Sequence, residues 1–343
     1  MVSVKPEKTA KERTVGLFPV AAALIGNFFV LIIKSLAAII SGSSVLFSEA
    51  IHSFADTANQ ALLAIGLSRS RKKPDELFVY GYGNERFFWA LISACGIFFI
   101  GAGVTVFRGI TSFLTGHSIV AEPIIYFILS ASFIIELATL LIAVRELKKK
   151  SEHKSIWHII NNGDPSTLAV LFEDSVAVLG VAIAFVSILL TELTGHNYWD
   201  ATGSIVIGVL LGVVAITLIV KNRKYLIGAT MPRHLSAEII SYLEADPAIE
   251  KVLDFKSTVL DIGVYRIKCE MEFNGHALLR EIYPTSDLRK KFNQVKNDYE
   301  EFKKFYVEVA DRIPRLVGRK IDEIEDRLKV KHPGIKYIDI EIN

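Results

Sequence analysis

The sequence predicts a membrane protein in which a six-helix transmembrane bundle is followed by a small cytoplasmic α+β domain. The chain has 343 residues, of which 51% are hydrophobic, and its mean hydropathy of +0.38 is too high for an ordinary soluble domain. The apolar residues are concentrated before about Val220, and the remainder is charged. We therefore divide the chain into a cytoplasmic N-terminal tail (residues 1–14), a transmembrane domain (15–221) and a C-terminal domain (222–343).

Six apolar segments each have about the 20 residues that a helix needs to cross the hydrocarbon core of a bilayer. A closed β-barrel would show weaker segments of alternating hydropathy, so we predict helices. The six segments cover residues 15–40, 44–67, 87–107, 124–144, 167–190 and 201–220.

Lysine and arginine occur in alternate connections, which predicts the orientation. Basic residues occur in the tail, between spans two and three, between spans four and five, and after span six. The other connections contain almost no lysine or arginine, with Arg108 as the exception. The positive-inside rule then places both termini in the cytoplasm, as an even number of spans requires. Because no signal peptide or Arg- and Ser-rich presequence is evident, we expect an integral, multi-pass protein of the prokaryotic cell inner membrane.

The C-terminal domain shows both helical and strand periodicity. Residues 234–243 predict a short helix, and the alternation over 265–273 predicts a half-buried strand. A long charged helical stretch occupies 288–328, in which Pro314 should kink or break the helix. Alternation over 337–342 predicts the last strand. We interpret the apolar stripe of the long stretch as a helix that covers its own sheet, with a partner-helix seam as the alternative.

The most informative residues are His52 and Asp56 in span two. A titratable group at membrane depth is costly unless it is paired, hydrated or bound to an ion. Residues four apart lie on one helix face, so this imidazole and this carboxylate can bind one divalent cation together. Glu49 falls on the same side of the helix. The alternative is a polar clamp between helices that transports nothing.

Span five adds two adjacent carboxylates, Glu173 and Asp174. Neighbouring helix positions are about 100° apart, so one of the two can face His52 and Asp56. The other must face a neighbouring helix, a water path or an oblique part of the same site. Two adjacent carboxylates exceed what packing in a bilayer needs.

Three further polar residues lie within the predicted spans. Asn27 is typical of an interhelical hydrogen bond, and Lys34 lies near enough to a span end for its side chain to extend to the interface. Glu136 is either a proton site or the partner of Lys34 or Arg108. Around the metal site, the candidate proton-carrying or supporting residues are therefore Glu49, Glu136 and Asn27.

Other protein classes are less consistent with the sequence. A membrane metallo-hydrolase would need a general base beside a metal-bound water, for example on a His-Glu-x-x-His helix, and the sequence has none. The basic residues are explained by topology, so no nucleic-acid partner is expected. Cys95 and Cys269 fall in a span and in the C-terminal domain, which argues against a disulfide. We therefore expect a transporter and not an enzyme.

These residues resemble the cation diffusion facilitator family of divalent metal transporters. The family's His- or Asp-x-x-x-Asp motif in span two matches His52 and Asp56, and the aromatic-glycine segment 78–86 before span three is also similar. The resemblance covers nearly the whole chain. The sequences Ser-Glu-Ala-Ile-His-Ser in span two and Leu-Phe-Glu-Asp-Ser in span five are most similar to the branch of the family that contains the animal mitochondrial zinc transporter. The resemblance implies cytoplasmic termini, a ferredoxin-like C-terminal domain and a homodimer.

The resemblance also implies a function, namely secondary active export of a divalent cation, Zn²⁺ first, in exchange for protons. Alternating access would occur around a midplane site between helices two and five. The family's fifth span usually carries His-x-x-x-Asp. If Asp174 matches the Asp, then Val170 occupies the histidine position and cannot bind metal. The implied ligands are His52, Asp56 and Asp174, with Glu173 or water as the fourth.

A site with one nitrogen and several oxygens also suits Mn²⁺, Fe²⁺ and Co²⁺, which are the alternatives to zinc. A passive cation channel is a further alternative. No prosthetic group is expected, and the partners are the metal ion, protons, membrane lipid and a second copy of the chain. The histidines of the C-terminal domain have no ligand spacing and are expected at the surface; they are His234, His276 and His332.

Overall fold

The computed structural model describes residues 17–116, 123–150 and 165–343, so the predicted tail (1–14) lies outside the described residues. The chain divides into two compact units, Met1–Leu226 and Ile227–Asn343. The described part of the first unit contains six long helices, one over each predicted span. They are α1 (Leu17–Ser41), α2 (Ser44–Ser70), α3 (Glu85–Thr115), α4 (Pro123–Lys150), α5 (Pro165–Thr194) and α6 (Tyr198–Ile227).

Within the described residues, four of these helices are long and apolar enough to cross a membrane, namely α3, α4, α5 and α6. In α1 the apolar helix that meets the hydropathy criterion is the shorter segment Gly26–Ser41. Polar and charged residues, His52 and Asp56 among them, lower the hydropathy of α2. The structure therefore supports at least four spans, and the count of six stays a prediction.

The outer surface of the first unit is apolar, whereas its interior contains small and polar residues. Ile39, Phe99 and Phe107 are each at least 70% exposed. Inside, Gly208 of α6 lies so close to α3 that an added Cβ would be 3.0 Å from the backbone nitrogen of Val106. Large apolar side chains outside and small residues between helices are typical of a bundle surrounded by lipid.

The middle of α3, Ile97–Val104, is π-helical. Gly101 in this segment lies close to α2, with Ala55 Cβ 3.9 Å from the position of an added Cβ. π-Helical segments inside α-helices occur frequently at functional sites. This one packs beside the residue that precedes Asp56.

The start of α2 is fixed by a carboxylate of α6. Asp200 is buried and accepts hydrogen bonds from the backbone N–H groups of Ser44 (2.7 Å) and Val45 (3.3 Å), and from the Ser43 hydroxyl. The N–H groups of a first helical turn have no partner within the helix, and the helix dipole favours a negative charge there. Asp200 thereby fixes the position of the polar residues that follow in α2.

The second unit is a three-stranded sheet with helices packed against it. Strand β1 (Ile249–Asp261) pairs antiparallel with β2 (Val264–Phe273), and β2 pairs parallel with β3 (Ile335–Ile342). A ferredoxin-like β-α-β-β-α-β order would supply four strands, and the described sheet has three, so the ferredoxin-like arrangement is not confirmed. The helices of this unit are α7 (Arg233–Glu244), α8 (Gly275–Ile282), α9 (Thr285–Val295) and α10 (Tyr299–Lys331).

The predicted alternation in β2 is confirmed, because Ile267, Cys269 and Met271 are buried in the core between the sheet, α7 and α10. Strand β1 was not predicted. Its pairing with β2 shifts register three times, and Asp254 has a positive φ of 41°. Such irregularities disturb the alternation by which a strand is recognised.

Pro314 was predicted to kink or break the long helical stretch; it does not break it, and the kink stays a prediction. Helix α10 continues through Pro314, and the stretch is interrupted earlier, between α9 and α10. There Asp298 caps α10 by accepting hydrogen bonds from the backbone N–H groups of Glu300 (2.9 Å) and Glu301 (3.2 Å). Pro314 is exposed, so water can hydrogen-bond the carbonyl that the proline leaves without a partner.

The apolar stripe of this stretch has two parts. Ile324 and Leu328 are buried against the sheet, as predicted. Phe292, Tyr299 and Phe302 are between 49% and 74% exposed. Only the C-terminal part of the stripe therefore covers its own sheet.

Burial raises the pKa of the Cys269 thiol to about 11. A thiol of that pKa is ionised to roughly 1 part in 1,000 at pH 8, against roughly 1 part in 4 for an unperturbed cysteine. We expect N-ethylmaleimide to label Cys269 of the native full-length protein at least about 100-fold more slowly than the urea-unfolded chain. Peptide mass spectrometry measures both rates, and equal rates would contradict the buried position of this thiol.

Candidate metal centre

Four polar residues form a stripe on one face of α2. Glu49, His52, Asp56 and Asn59 are separated by three, four and three positions, which follows the helical period. The side chains of Glu49 and His52 are 0% and 2% exposed, and that of Asp56 is 20% exposed. Helix α2 packs against α1, α3 and α5. The stripe extends over about 15 Å of the α2 axis.

The structure brings the predicted pair together, with Nε2 of His52 3.2 Å from Oδ2 of Asp56. The other ring nitrogen, Nδ1, lies beside Gly180 of α5, 3.9 Å from the position of an added Cβ. Neither ring nitrogen has a hydrogen-bond partner among the described residues. Buried polar atoms normally have partners, so Nδ1 is available to a ligand, and Nε2 could bind one together with Asp56.

The two carboxylates of α5 lie near this pair. Glu173 and Asp174 both interact electrostatically with Asp56, and Glu173 also interacts with His52. The side chain of Val170, which occupies the family's histidine position, lies outside the described side chains. Over the parts of the chain that the structure describes, no three His, Cys, Asp or Glu side chains are arranged to hold a metal ion. The four-residue ligand set therefore stays a prediction.

Glu173 is held by a short chain of hydrogen bonds. Nδ2 of Asn59 donates to its Oε1 (2.6 Å), and Oγ of Ser93 in α3 donates to Oδ1 of Asn59 (2.7 Å). Neither of these two supporting residues is predicted from the sequence. Asn59 continues the α2 stripe three positions after Asp56, so helical spacing could have identified it. Ser93 could not be identified, because nothing in the sequence shows which residue of span three faces Asn59.

Lys34 of α1 forms a buried ion cluster with Glu49 and with Glu136 of α4. Its Nζ lies 2.8 Å from Oε2 of Glu49 and 2.5 Å from Oε1 of Glu136. Lys34 is only 2% exposed, so the expectation that its side chain extends to the interface is wrong. Of the two partners considered for Glu136, Lys34 is the one that it meets. The Arg108 guanidinium instead lies 5.7 Å from the centre of the Phe47 ring.

This cluster has one ammonium and two carboxylates. Oε1 of Glu49 and Oε2 of Glu136 have no hydrogen-bond partner among the described residues. Asn27, the third supporting candidate, is half-buried in α1, two turns before Lys34, and its role as an interhelical donor stays a prediction. The cluster and the His52–Asp56 pair share the stripe of α2.

The histidines of the C-terminal domain do not gather. His234 and His276 are exposed, as predicted. The side chain of His332 is only 12% exposed, and its Nε2 lies 3.7 Å from Oε1 of Glu238.

Residues 20–227 match the family model of the cation efflux transmembrane domain. The chain is 37% identical over 321 residues to the proton-coupled zinc antiporter SLC30A9, mitochondrial, of Xenopus laevis. This alignment covers 92% of the present chain and 57% of the Xenopus protein. The human protein of the same name is 37% identical over 314 residues, covering 90% and 55%. Metal tolerance protein C4 of Arabidopsis thaliana is 36% identical over 330 residues, covering 94% and 72%. The chain thus spans little more than half the length of the two zinc antiporters.

These comparisons confirm the resemblance inferred from the sequence, and they confirm an integral, multi-pass membrane protein of a transporter family in place of an enzyme. They do not support the expected prokaryotic inner membrane, because the zinc antiporters carry mitochondrial names. The match covers the whole of α2 and the helices packed around it. The chain therefore belongs to the cation efflux family, the cation diffusion facilitators.

Proposed function

We propose that this protein is a secondary active transporter that exports a divalent cation, Zn²⁺ as first choice, in exchange for protons. The observation that carries the proposal is the buried contact between His52 and Asp56, with both ring nitrogens free of hydrogen bonds among the described residues. Relatives that are named as proton-coupled zinc antiporters support both the metal and the exchanged ion.

The geometry of the pair is compatible with zinc. In a tetrahedral site with ligand atoms about 2.1 Å from the metal, two ligand atoms are about 3.3–3.4 Å apart. The observed separation of Nε2 of His52 and Oδ2 of Asp56 is 3.2 Å. One cation could therefore bind both atoms with little movement of either side chain.

We assign the third ligand to Asp174 and the fourth to Glu173 or water. Glu173 already accepts the hydrogen bond from Asn59, so metal binding by Glu173 would have to share or break that bond. One nitrogen and two or three carboxylate oxygens make a moderately hard site, which leaves Mn²⁺, Fe²⁺ and Co²⁺ as alternative substrates.

Shared ligands supply the coupling. Imidazole nitrogen and carboxylate oxygen bind a metal ion only when they are deprotonated, so metal binding releases protons. After the cation leaves on the far side, the same groups can accept protons from that side. Rocking of α2 against α5 around the site would give alternating access, with both termini in the cytoplasm and two chains in a homodimer.

Metal flux into sealed proteoliposomes tests the function. We expect an imposed pH gradient to accelerate uptake of one metal among Zn²⁺, Mn²⁺, Fe²⁺ and Co²⁺, relative to protein-free vesicles. A metal flux that does not depend on the pH gradient would identify a passive channel. No flux of any of the four metals would leave the polar residues as a clamp between helices and overturn the proposal.

A further inference from the structure

We propose that Oε1 of Glu49 and Nδ1 of His52 form a second, transient cation site, distinct from the primary site at Asp56. The inference rests on the proposed transport function and adds a step to it. The cation would pass from the Asp56 side of the His52 ring to its Glu49 side on the way across the membrane.

The first support is a pair of buried atoms without partners. Oε1 of Glu49 and Nδ1 of His52 have no hydrogen-bond partner among the described residues, although their side chains are 0% and 2% exposed. Both lie within 4 Å of the same point, the position that a Cβ of residue 180 would occupy. A carboxylate oxygen and an imidazole nitrogen near one point of the contact between α2 and α5 are of the types that bind a divalent cation.

The second support is the glycine that makes room for Oε1 of Glu49. A Cβ at Gly180 would overlap Oε1 of Glu49. Gly180 follows Glu173 by seven positions, so both lie on the same face of α5. The close approach of α5 to the Glu49 end of the stripe therefore depends on the missing side chain.

His52 connects the two sites. Its Nε2 contacts Asp56, and its Nδ1 lies on the side of Glu49 and Gly180. An imidazole can bind a metal through either nitrogen. One ring can therefore take part in both sites in turn, while the cation advances along an α2 segment that spans about 10 Å between Asp56 and Glu49.

Lys34 makes the second site weak. Its ammonium lies 2.8 Å from Oε2 of Glu49, and a positive charge this close repels a divalent cation bound to the other oxygen. A weak site next to a stronger one favours onward release over storage. Glu136, which also contacts Lys34, offsets part of that repulsion.

Two double variants isolate Glu49 at constant charge. The cluster of Lys34, Glu49 and Glu136 has a formal charge of −1. The pair Lys34→Met and Glu136→Gln keeps that charge and keeps Glu49. The pair Lys34→Met and Glu49→Gln keeps the charge but removes Glu49. Both are compared as full-length proteins, by equilibrium Zn²⁺ binding in detergent and by Zn²⁺ turnover in proteoliposomes.

We expect the Zn²⁺ affinity of the primary site to agree within about 3-fold between the two double variants, because His52, Asp56 and Asp174 are unchanged in both. Turnover should be at least about 10-fold lower in the variant without Glu49. If the two double variants have the same turnover, whether both are active or both inactive, the proposal of a second site is overturned. Loss of equilibrium binding in the variant without Glu49 would place Glu49 in the primary site and would also overturn it. Absence of wild-type flux would instead contradict the transport function itself.

Gly180→Ala tests the same contact without a change of charge, and it remains informative if a double variant does not fold. Its methyl group should displace Oε1 of Glu49, reducing turnover at least about 10-fold while Zn²⁺ binding changes less than about 3-fold. The matched control is Gly212→Ala in α6, where the nearest atom to an added Cβ is Ala102 Cβ at 3.6 Å, an ordinary contact. Equal turnover in the two alanine variants would contradict the proposal.

Discussion

Replacing Asp56 with asparagine is expected to weaken Zn²⁺ binding by at least about 100-fold and to abolish transport. Asparagine has nearly the same shape as aspartate, but it lacks the negative charge that attracts the metal ion beside Nε2 of His52. If a four-ligand zinc site contributes roughly 10–16 kcal/mol in total, one ligand accounts for about 3 kcal/mol, or about 100-fold in affinity. Competition with a fluorescent zinc chelator measures the affinity of the detergent-solubilised protein.

The matched control for this variant is Thr57→Val, at the next position. The Thr57 hydroxyl donates to the carbonyl of Ser53 in its own helix (2.8 Å), so its removal should change the affinity less than about 2-fold. If Asp56→Asn binds Zn²⁺ as tightly as Thr57→Val, then Asp56 is not a ligand and the primary site must be sought elsewhere.

Replacing Lys34 with methionine is expected to destabilise the protein by about 3–5 kcal/mol, because it leaves two carboxylates in the interior without their counter-ion. Glu49 is fully buried, and Glu136 is 14% exposed. Denaturant unfolding of the full-length protein in detergent, followed by tryptophan fluorescence, measures the change.

Lys224→Met is the control for the loss of a lysine charge. Lys224 is exposed near the end of α6, and an exposed substitution should change the free energy of unfolding by no more than about 0.5 kcal/mol. Equal effects of the two variants would show that the buried cluster contributes nothing to stability. It would then have to be retained for another reason.

The helices and strands with a regular pattern of polar and apolar residues could be predicted from the sequence. The stripe of α2 and the alternation of β2 each repeat over several residues, and the structure has both. Strand β1 could not be predicted because its bulges interrupt the alternation. The sequence predicts a kink or break of the long C-terminal stretch at Pro314, but an exposed proline is tolerated inside α10, and the cap at Asp298 sets the boundary.

Part of the candidate site could be identified from one helix alone. Spacing places Glu49, His52 and Asp56 on one face of α2 without knowledge of any neighbour. The partners of that face depend on how the helices pack, which the sequence does not state. Lys34 meets Glu136 across 102 positions of the chain, and a span-end lysine was expected to extend outward.

The position of Gly180 opposite Glu49 also could not be predicted from the sequence. A glycine in an apolar span is usually read as packing, and only the helix opposite shows that it faces Glu49. Its seven-residue spacing from Glu173 was visible in the sequence. That spacing identifies the face on which Gly180 lies but not the residue it approaches.

Proton-coupled exchange at Asp56 is tested most directly by recording internal zinc and internal pH in the same sealed proteoliposomes, for the wild type and for Asp56→Asn. We expect zinc uptake by the wild type to be accompanied by alkalinisation of the vesicle interior, as protons leave in exchange, and we expect both signals to vanish in Asp56→Asn. Zinc uptake by Asp56→Asn at the wild-type rate, or wild-type uptake without any change of internal pH, would rule out this exchange.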